Sequence, residues 1–343
     1  MNSTVNRRFV LACRPDTLPD DSHFSIETVP VATPRSGELL VRVLLVALSP
    51  WQGQRLKDFR NYTTPFKIGE LIDCDVLGEV IESQSNEIEK GSWVTGRLGW
   101  QEYAISRPEN LTVVNREQDE AVWLSALSSP GLTAYCAMNM FGRPMPGQTL
   151  VVTSAAGSVG SYAVQLGKLS GMSVIGIAGS NTKCALVEGS LGADAAVNYQ
   201  RDDFADRLKE VCRAGVDLVF DTVGGTVADA VFDNLNKYAR VLIVGRTDSN
   251  NSNHPELDYV NMRQLWAREA SIQCFSRYSY PREWSHARRS MQDLLEHGKI
   301  KPFDNIVEGF EQTPKALHDM LAGHYSGKVM VRYANAGHQN KRY

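Results

Sequence analysis

No C-x-x-C pair occurs in the chain, and its six cysteines, Cys13, Cys74, Cys136, Cys184, Cys212 and Cys274, are scattered over 343 residues. That spacing argues for reduced thiols and against a disulfide framework. None of the seven histidines stands near a cysteine at ligand spacing, so the sequence supports no metal site. No apolar run approaches the roughly 18 residues of a membrane span. Neither sign of charge dominates: Lys plus Arg is 36, Asp plus Glu is 39 and the net charge is −3. Nucleic acid and anionic membrane are therefore not expected as partners. Internal repeats and low-complexity segments are also missing. Near the start, Arg7 and Arg8 precede a short apolar stretch that Arg14, Pro15 and Asp16 interrupt. A secretory core is not expected there, and the expected location is the cytosol.

What is present is an ordinary globular composition, 43% hydrophobic and 22% charged, with length for about two domains. The first part, residues 1–128, reads as strands punctuated by glycine and proline. Residues 39–46 form a β-branched apolar run, residues 76–82 alternate, and 92–94 and 103–105 are shorter candidates. Such punctuation suggests a small irregular β-barrel. The texture changes near Ser128-Ser129-Pro130-Gly131. Over residues 129–301, six apolar runs (149–153, 173–177, 195–197, 217–220, 240–244 and 272–275) alternate with helix-length segments. That alternation predicts βαβ units and a doubly wound parallel sheet. Residues 302–343 hold one helix candidate near 314–321 and one strand at 328–331, so the chain is expected to return to its first domain. The polar end, 335–343, reads as a frayed tail.

The sharpest local signal is Ala155-Ala156-Gly157-Ser158-Val159-Gly160, directly after a strand and opening a helix. Small residues there let the backbone approach a pyrophosphate, whose charge then sits at the helix N-terminus. Gly160 also permits close helix–sheet packing. A ligand-free β-to-α turn is the bland alternative, and the strand–turn–helix context favours a dinucleotide. NAD-specific sheets place an acid at the end of the second strand. Here that segment reads Ala178-Gly179-Ser180-Asn181-Thr182-Lys183, with a hydroxyl and a cation in place of an acid. NADPH is therefore the expected coenzyme. Thr222 in the loop after the fourth run, and Gly245, Arg246 and Thr247 after the fifth, fall at strand ends where such ligands bind.

These features resemble the zinc-independent medium-chain dehydrogenases/reductases, and within them the NADPH-dependent alkenal double-bond reductases. The resemblance is carried by Ile68-Gly69-Glu70, Gly99-Trp100-Gln101-Glu102-Tyr103, Pro130-Gly131-Leu132-Thr133-Ala134-Tyr135, the glycine turn, Phe220-Asp221-Thr222-Val223-Gly224-Gly225 and Gly327-Lys328. It implies a GroES-like β-barrel catalytic domain joined to a Rossmann domain. It also implies that Gly157, Ser158, Val159 and Gly160 hold the pyrophosphate, and that Lys183 and Tyr199 hold the adenosine 2′-phosphate. Thr222, Gly245, Phe275, Ser276 and Arg277 would line the nicotinamide half. Zinc-dependent relatives carry Cys and Gly-His-Glu ligands where this chain has Ala47-Leu48-Ser49 and Ile68-Gly69-Glu70, so no metal is expected. Homodimers joined at the sheet edge near the sixth run are a further implication.

The implied reaction is hydride transfer from NADPH to the β-carbon of an enal or enone, followed by protonation of the α-carbon. Tyr62 and Tyr278 are the candidate proton donors; water as the donor, with both tyrosines as aromatic walls, is the alternative. The chain departs from the family pattern at Ser49-Pro50-Trp51-Gln52-Gly53, Ala267 and Tyr325, which leaves the substrate open. A quinone reductase and a non-enzymatic NADPH-binding protein are the competing function classes.

Overall fold

A computed structural model describes residues 5–58, 64–246 and 261–333, with the backbone alone for Arg277. It divides into two compact units, Met1–Leu124 with Asp304–Tyr343, and Ser125–Phe303. Each encloses its own cluster of buried apolar side chains.

In the first unit the central strand is Leu39–Ala47, buried along nearly its whole length. Burial on both faces explains why its sequence is a continuous apolar run. It pairs antiparallel with Asp75–Ser83 on one side. On the other it changes partner, meeting Tyr103–Ser106 at its start and Lys328–Arg332 at its end. A strand that exchanges partners along one edge belongs to a strongly bent, barrel-like sheet. The hairpin of Val5–Leu11 with Phe24–Pro30 packs alongside. Its Phe9 ring stacks on Phe310 at 4.6 Å and meets Trp100 edge-on, which ties sequence-distant segments into one core.

The second unit is an α/β layer structure. Its six parallel strands are, in chain order, Thr149–Val152, Ser173–Ala178, Ala195–Asn198, Val216–Asp221, Leu235–Ile243 and Ser271–Cys274. In space they run third, second, first, fourth, fifth, sixth. The direction of winding therefore reverses between the first and fourth strands, and that reversal opens a crevice at their carboxyl ends. Helices Gly160–Leu169, Asn181–Gly189, Phe204–Val211 and Gly225–Phe232 connect successive strands.

Several elements differ from the sequence pattern. The fifth strand begins at Leu235, ahead of the apolar run, because Asn236, Lys237 and a left-handed Tyr238 (φ 65°) conceal its start. The sixth ends before Phe275, whose ring is buried instead. Helix Trp284–Glu296 buries only Ala287 and Met291, so its polar sequence shows no broad apolar stripe. Residues 335–343 lie outside the described residues.

Phe220 sits on the fourth strand with no exposed surface. Phe220→Ala should lower the unfolding free energy by about 3–5 kcal/mol, measured by denaturant titration. A loss under about 1 kcal/mol would mean that this strand is not central to the core.

Candidate functional site

The glycine turn is fixed by crowding around one carbonyl. Ser154 adopts a left-handed φ of 48°, which brings its backbone under the start of the next helix. A Cβ on Gly160 would lie 2.2 Å from the Ser154 carbonyl oxygen, and one on Gly157 would lie 2.6 Å from Ser154 Oγ. Gly160 admits no side chain without backbone movement, and one at Gly157 would have to displace the Ser154 side chain. The turn is further held by Ala155 N–H donating to the Ile177 carbonyl of the second strand at 2.9 Å. Among the described residues the amides of Ser158, Val159 and Gly160 have no acceptor. Three consecutive donors at the N-terminus of a ten-residue helix suit an anion, and the helix dipole adds to them. The donor set therefore fits a pyrophosphate.

At the end of the second strand, Ser180 caps helix Asn181–Gly189, its Oγ accepting the Lys183 N–H at 3.2 Å. Among the described residues the hydroxyl proton of Ser180 has no acceptor and is available for donation. Lys183 is half-buried, and burial pulls its ammonium below the ordinary lysine pKa. An approaching phosphate would relieve that penalty. Tyr199 N–H bonds the Ala178 carbonyl at 3.1 Å. Its ring lies beside Gly179, where an added Cβ would come within 3.2 Å. Ser180, Lys183 and Tyr199 are thus clustered at the end of the second strand.

At the winding reversal lies a polar network. Thr153 and Asp221 have no exposed surface, although each ends an apolar run. Thr153 Oγ1 donates to Asp221 Oδ1 at 2.7 Å and accepts the Thr222 N–H at 2.9 Å. Asp221 Oδ1 also accepts the Val223 and Gly224 amides at 3.0 and 3.2 Å. Its main-chain carbonyl accepts Val244 and Gly245 at 2.8 and 3.3 Å. Thr222 and Gly245 are thereby brought together, with Arg246 half-buried next to them. Farther along the crest, Phe275 N–H bonds the Ile243 carbonyl at 2.9 Å. The Phe275 ring stacks on Tyr280 at 5.6 Å and Ser276 is exposed. Tyr278 is 52% exposed, its ring edge-on to Trp284. Tyr62 and Thr247 lie outside the described residues, as does the Arg277 side chain. The sequence pattern missed the Thr153–Asp221 pairing because the partners are 68 positions apart; the one signal was a polar residue closing each of two buried runs.

Comparison with known proteins places this geometry. Residues 7–114 match a family described as the N-terminal domain of oxidoreductase, and residues 158–293 one described as zinc-binding dehydrogenase. The NADPH-dependent curcumin reductase of Escherichia coli is 34% identical over 335 residues, covering 96% of this chain and 97% of that protein. Prostaglandin reductase 1 of Sus scrofa is 31% identical, covering 92% and 95%. The crystal structure of CurA in complex with NADPH from Vibrio vulnificus superposes with a TM-score of 0.90 at 34% identity, covering 96% and 99%. The chain belongs to the NADP-dependent branch of the medium-chain dehydrogenases/reductases. Its units are that family's GroES-like and Rossmann-like domains.

The zinc in the family description does not fit this medium-chain dehydrogenase/reductase. Among the described residues no three His, Cys, Asp or Glu side chains stand together as a donor set. Beside Ser49, the buried Lys328 ammonium donates to the Leu48 carbonyl at 2.6 Å and to Ser49 Oγ at 2.8 Å. A fixed cation there opposes a second one.

Gly160→Ala should displace the Ser154 carbonyl and destabilise the Rossmann-like domain by about 1–3 kcal/mol, read from its thermal unfolding. An unchanged midpoint would show that the turn is not set by this contact.

Proposed function

We propose that the chain is an NADPH-dependent reductase of carbon–carbon double bonds conjugated to a carbonyl. The observation that carries this is the run of amides at Ser158, Val159 and Gly160 that have no acceptor among the described residues, beside a second-strand end that offers Ser180 and Lys183 where an acid would reject a phosphate. The names of the relatives, a curcumin reductase and a prostaglandin reductase, support the substrate class.

When bound, the reduced coenzyme supplies a hydride to the β-carbon, and the conjugated carbonyl takes up the charge. The turn amides hold the diphosphate against the helix end. Ser180 donates a hydrogen bond, Lys183 supplies charge and Tyr199 flanks the 2′-phosphate. Thr222, Gly245, Arg246, Phe275 and Ser276 line the nicotinamide half. Tyr278 is the proton donor to the α-carbon from within the described residues. The chain acts as a homodimer, a reading supported by the edge strand Ser271–Cys274, all four of whose residues are exposed.

Oxidation of NADPH and NADH should be followed with a 2-alkenal and with a benzoquinone. NADPH with the alkenal is expected to dominate and to give the saturated aldehyde. Turnover confined to the quinone, or none with either substrate, would overturn the proposal. Lys183→Gln should weaken NADPH binding about tenfold and leave NADH almost unchanged, as loss of one charge-assisted contact to phosphate requires. Equal weakening of both coenzymes would remove Lys183 from the phosphate site. Tyr278→Phe should cut turnover on the order of a hundredfold with coenzyme affinity intact; an unchanged rate would assign the proton to another donor.

A further inference from the structure

We propose that Thr153 and Asp221 form a positioning clasp that sets the coenzyme-facing loops at the winding reversal, an inference that rests on the NADPH-binding reading above. Thr153 directly follows the first strand and Asp221 ends the fourth, the pair between which the sheet changes direction. A crevice at that place needs its two lips held at a fixed separation. Backbone pairing reaches only as far as the Thr153 N–H, which donates to the Phe220 carbonyl at 3.1 Å just past the last paired residues, Val152 and Phe220. Beyond it the side chains take over. The Thr153 hydroxyl is used in both directions, donating to Asp221 and accepting from the Thr222 amide. Thr222 Oγ1 returns a hydrogen bond to the Thr153 carbonyl at 3.3 Å. Asp221 then fixes the start of the next turn through the Val223 and Gly224 amides, and fixes Val244 and Gly245 through its carbonyl.

The clasp also settles an electrostatic conflict. A buried carboxylate near the seat of a polyanionic coenzyme would repel it. At Asp221 one carboxylate oxygen receives a hydroxyl and two amides, so the negative charge is met by donors from its own loops. Of these three donors to Oδ1, Thr153 supplies the hydroxyl, and its removal would unlock Thr222 and leave the carboxylate less compensated. Thr153 is therefore a positioning residue that acts through Asp221 and Thr222.

The test is titration of NADPH into the full chain, followed by coenzyme fluorescence, with unfolding midpoints measured in parallel. Thr153→Val keeps the shape and removes the hydroxyl; it should raise the Kd for NADPH about tenfold or more. Thr153→Ser restores the hydroxyl and should return the Kd to within about threefold of the parent. Thr149→Val, at the far end of the same strand, should leave the Kd unchanged. Unaltered affinity in Thr153→Val, or a loss that Thr153→Ser does not rescue, would overturn the clasp while leaving NADPH binding in place. Absence of NADPH binding in the parent chain would overturn both. Should Thr153→Val fail to fold, Thr153→Ala in the same titration decides by the same criteria.

Discussion

The site depends on one close approach, that of the Ser154 carbonyl to the first residue of the following helix. A Cβ at Gly160 would stand 2.2 Å from that oxygen, so only glycine lets the chain turn from strand to helix in so short a span. The tight turn leaves the amides of Ser158, Val159 and Gly160 without acceptors among the described residues. Unaccepted amides at a helix start are costly to bury and favourable to offer to an anion. An anion placed at this turn would meet three donors and the positive end of the helix dipole. The first strand supports this turn through complete burial, and the second supports it through the Ile177 carbonyl.

Along the carboxyl ends of the parallel strands the chemistry then changes in steps. The second strand ends in a hydroxyl, a half-buried ammonium and a tyrosine ring. The first and fourth end in the Thr153–Asp221 network, and the region past the fifth and sixth is aromatic, with Phe275, Tyr280 and Phe141 in contact. A charged-to-apolar gradient along one sheet edge matches a ligand with phosphates at one end and a planar ring at the other. In the other unit, Lys328 holds the Leu48 carbonyl and the Ser49 hydroxyl just ahead of helix Pro50–Leu56, so the segment is organised by an ammonium group.

Much of this was legible in the amino-acid order because it is local. The glycine turn, the absent acid after Ala178 and the six apolar runs each occupy a few adjacent residues. Other features were hidden by distance or by polarity. Strand Val5–Leu11 carries Asn6, Arg7 and Arg8, and Arg7 finds its partner Glu102 far along the chain. Helix Trp284–Glu296 looks solvent-exposed because its contact with the core is narrow. The π-helical turn Ala137–Gly142, which carries Phe141 toward Phe275, has no compositional mark. Thr153 and Asp221 acquire their meaning only when the winding order makes them neighbours. Of the tyrosines singled out as proton donors, Tyr278 is placed and Tyr62 lies outside the described residues.

Amide hydrogen exchange at the glycine turn, with and without saturating NADPH, tests the central claim most directly. Coenzyme seated on the helix start should slow exchange at Ser158, Val159 and Gly160 together, because each amide gains an acceptor that the described residues do not supply. Unchanged exchange at all three, with protection appearing elsewhere, would contradict the account.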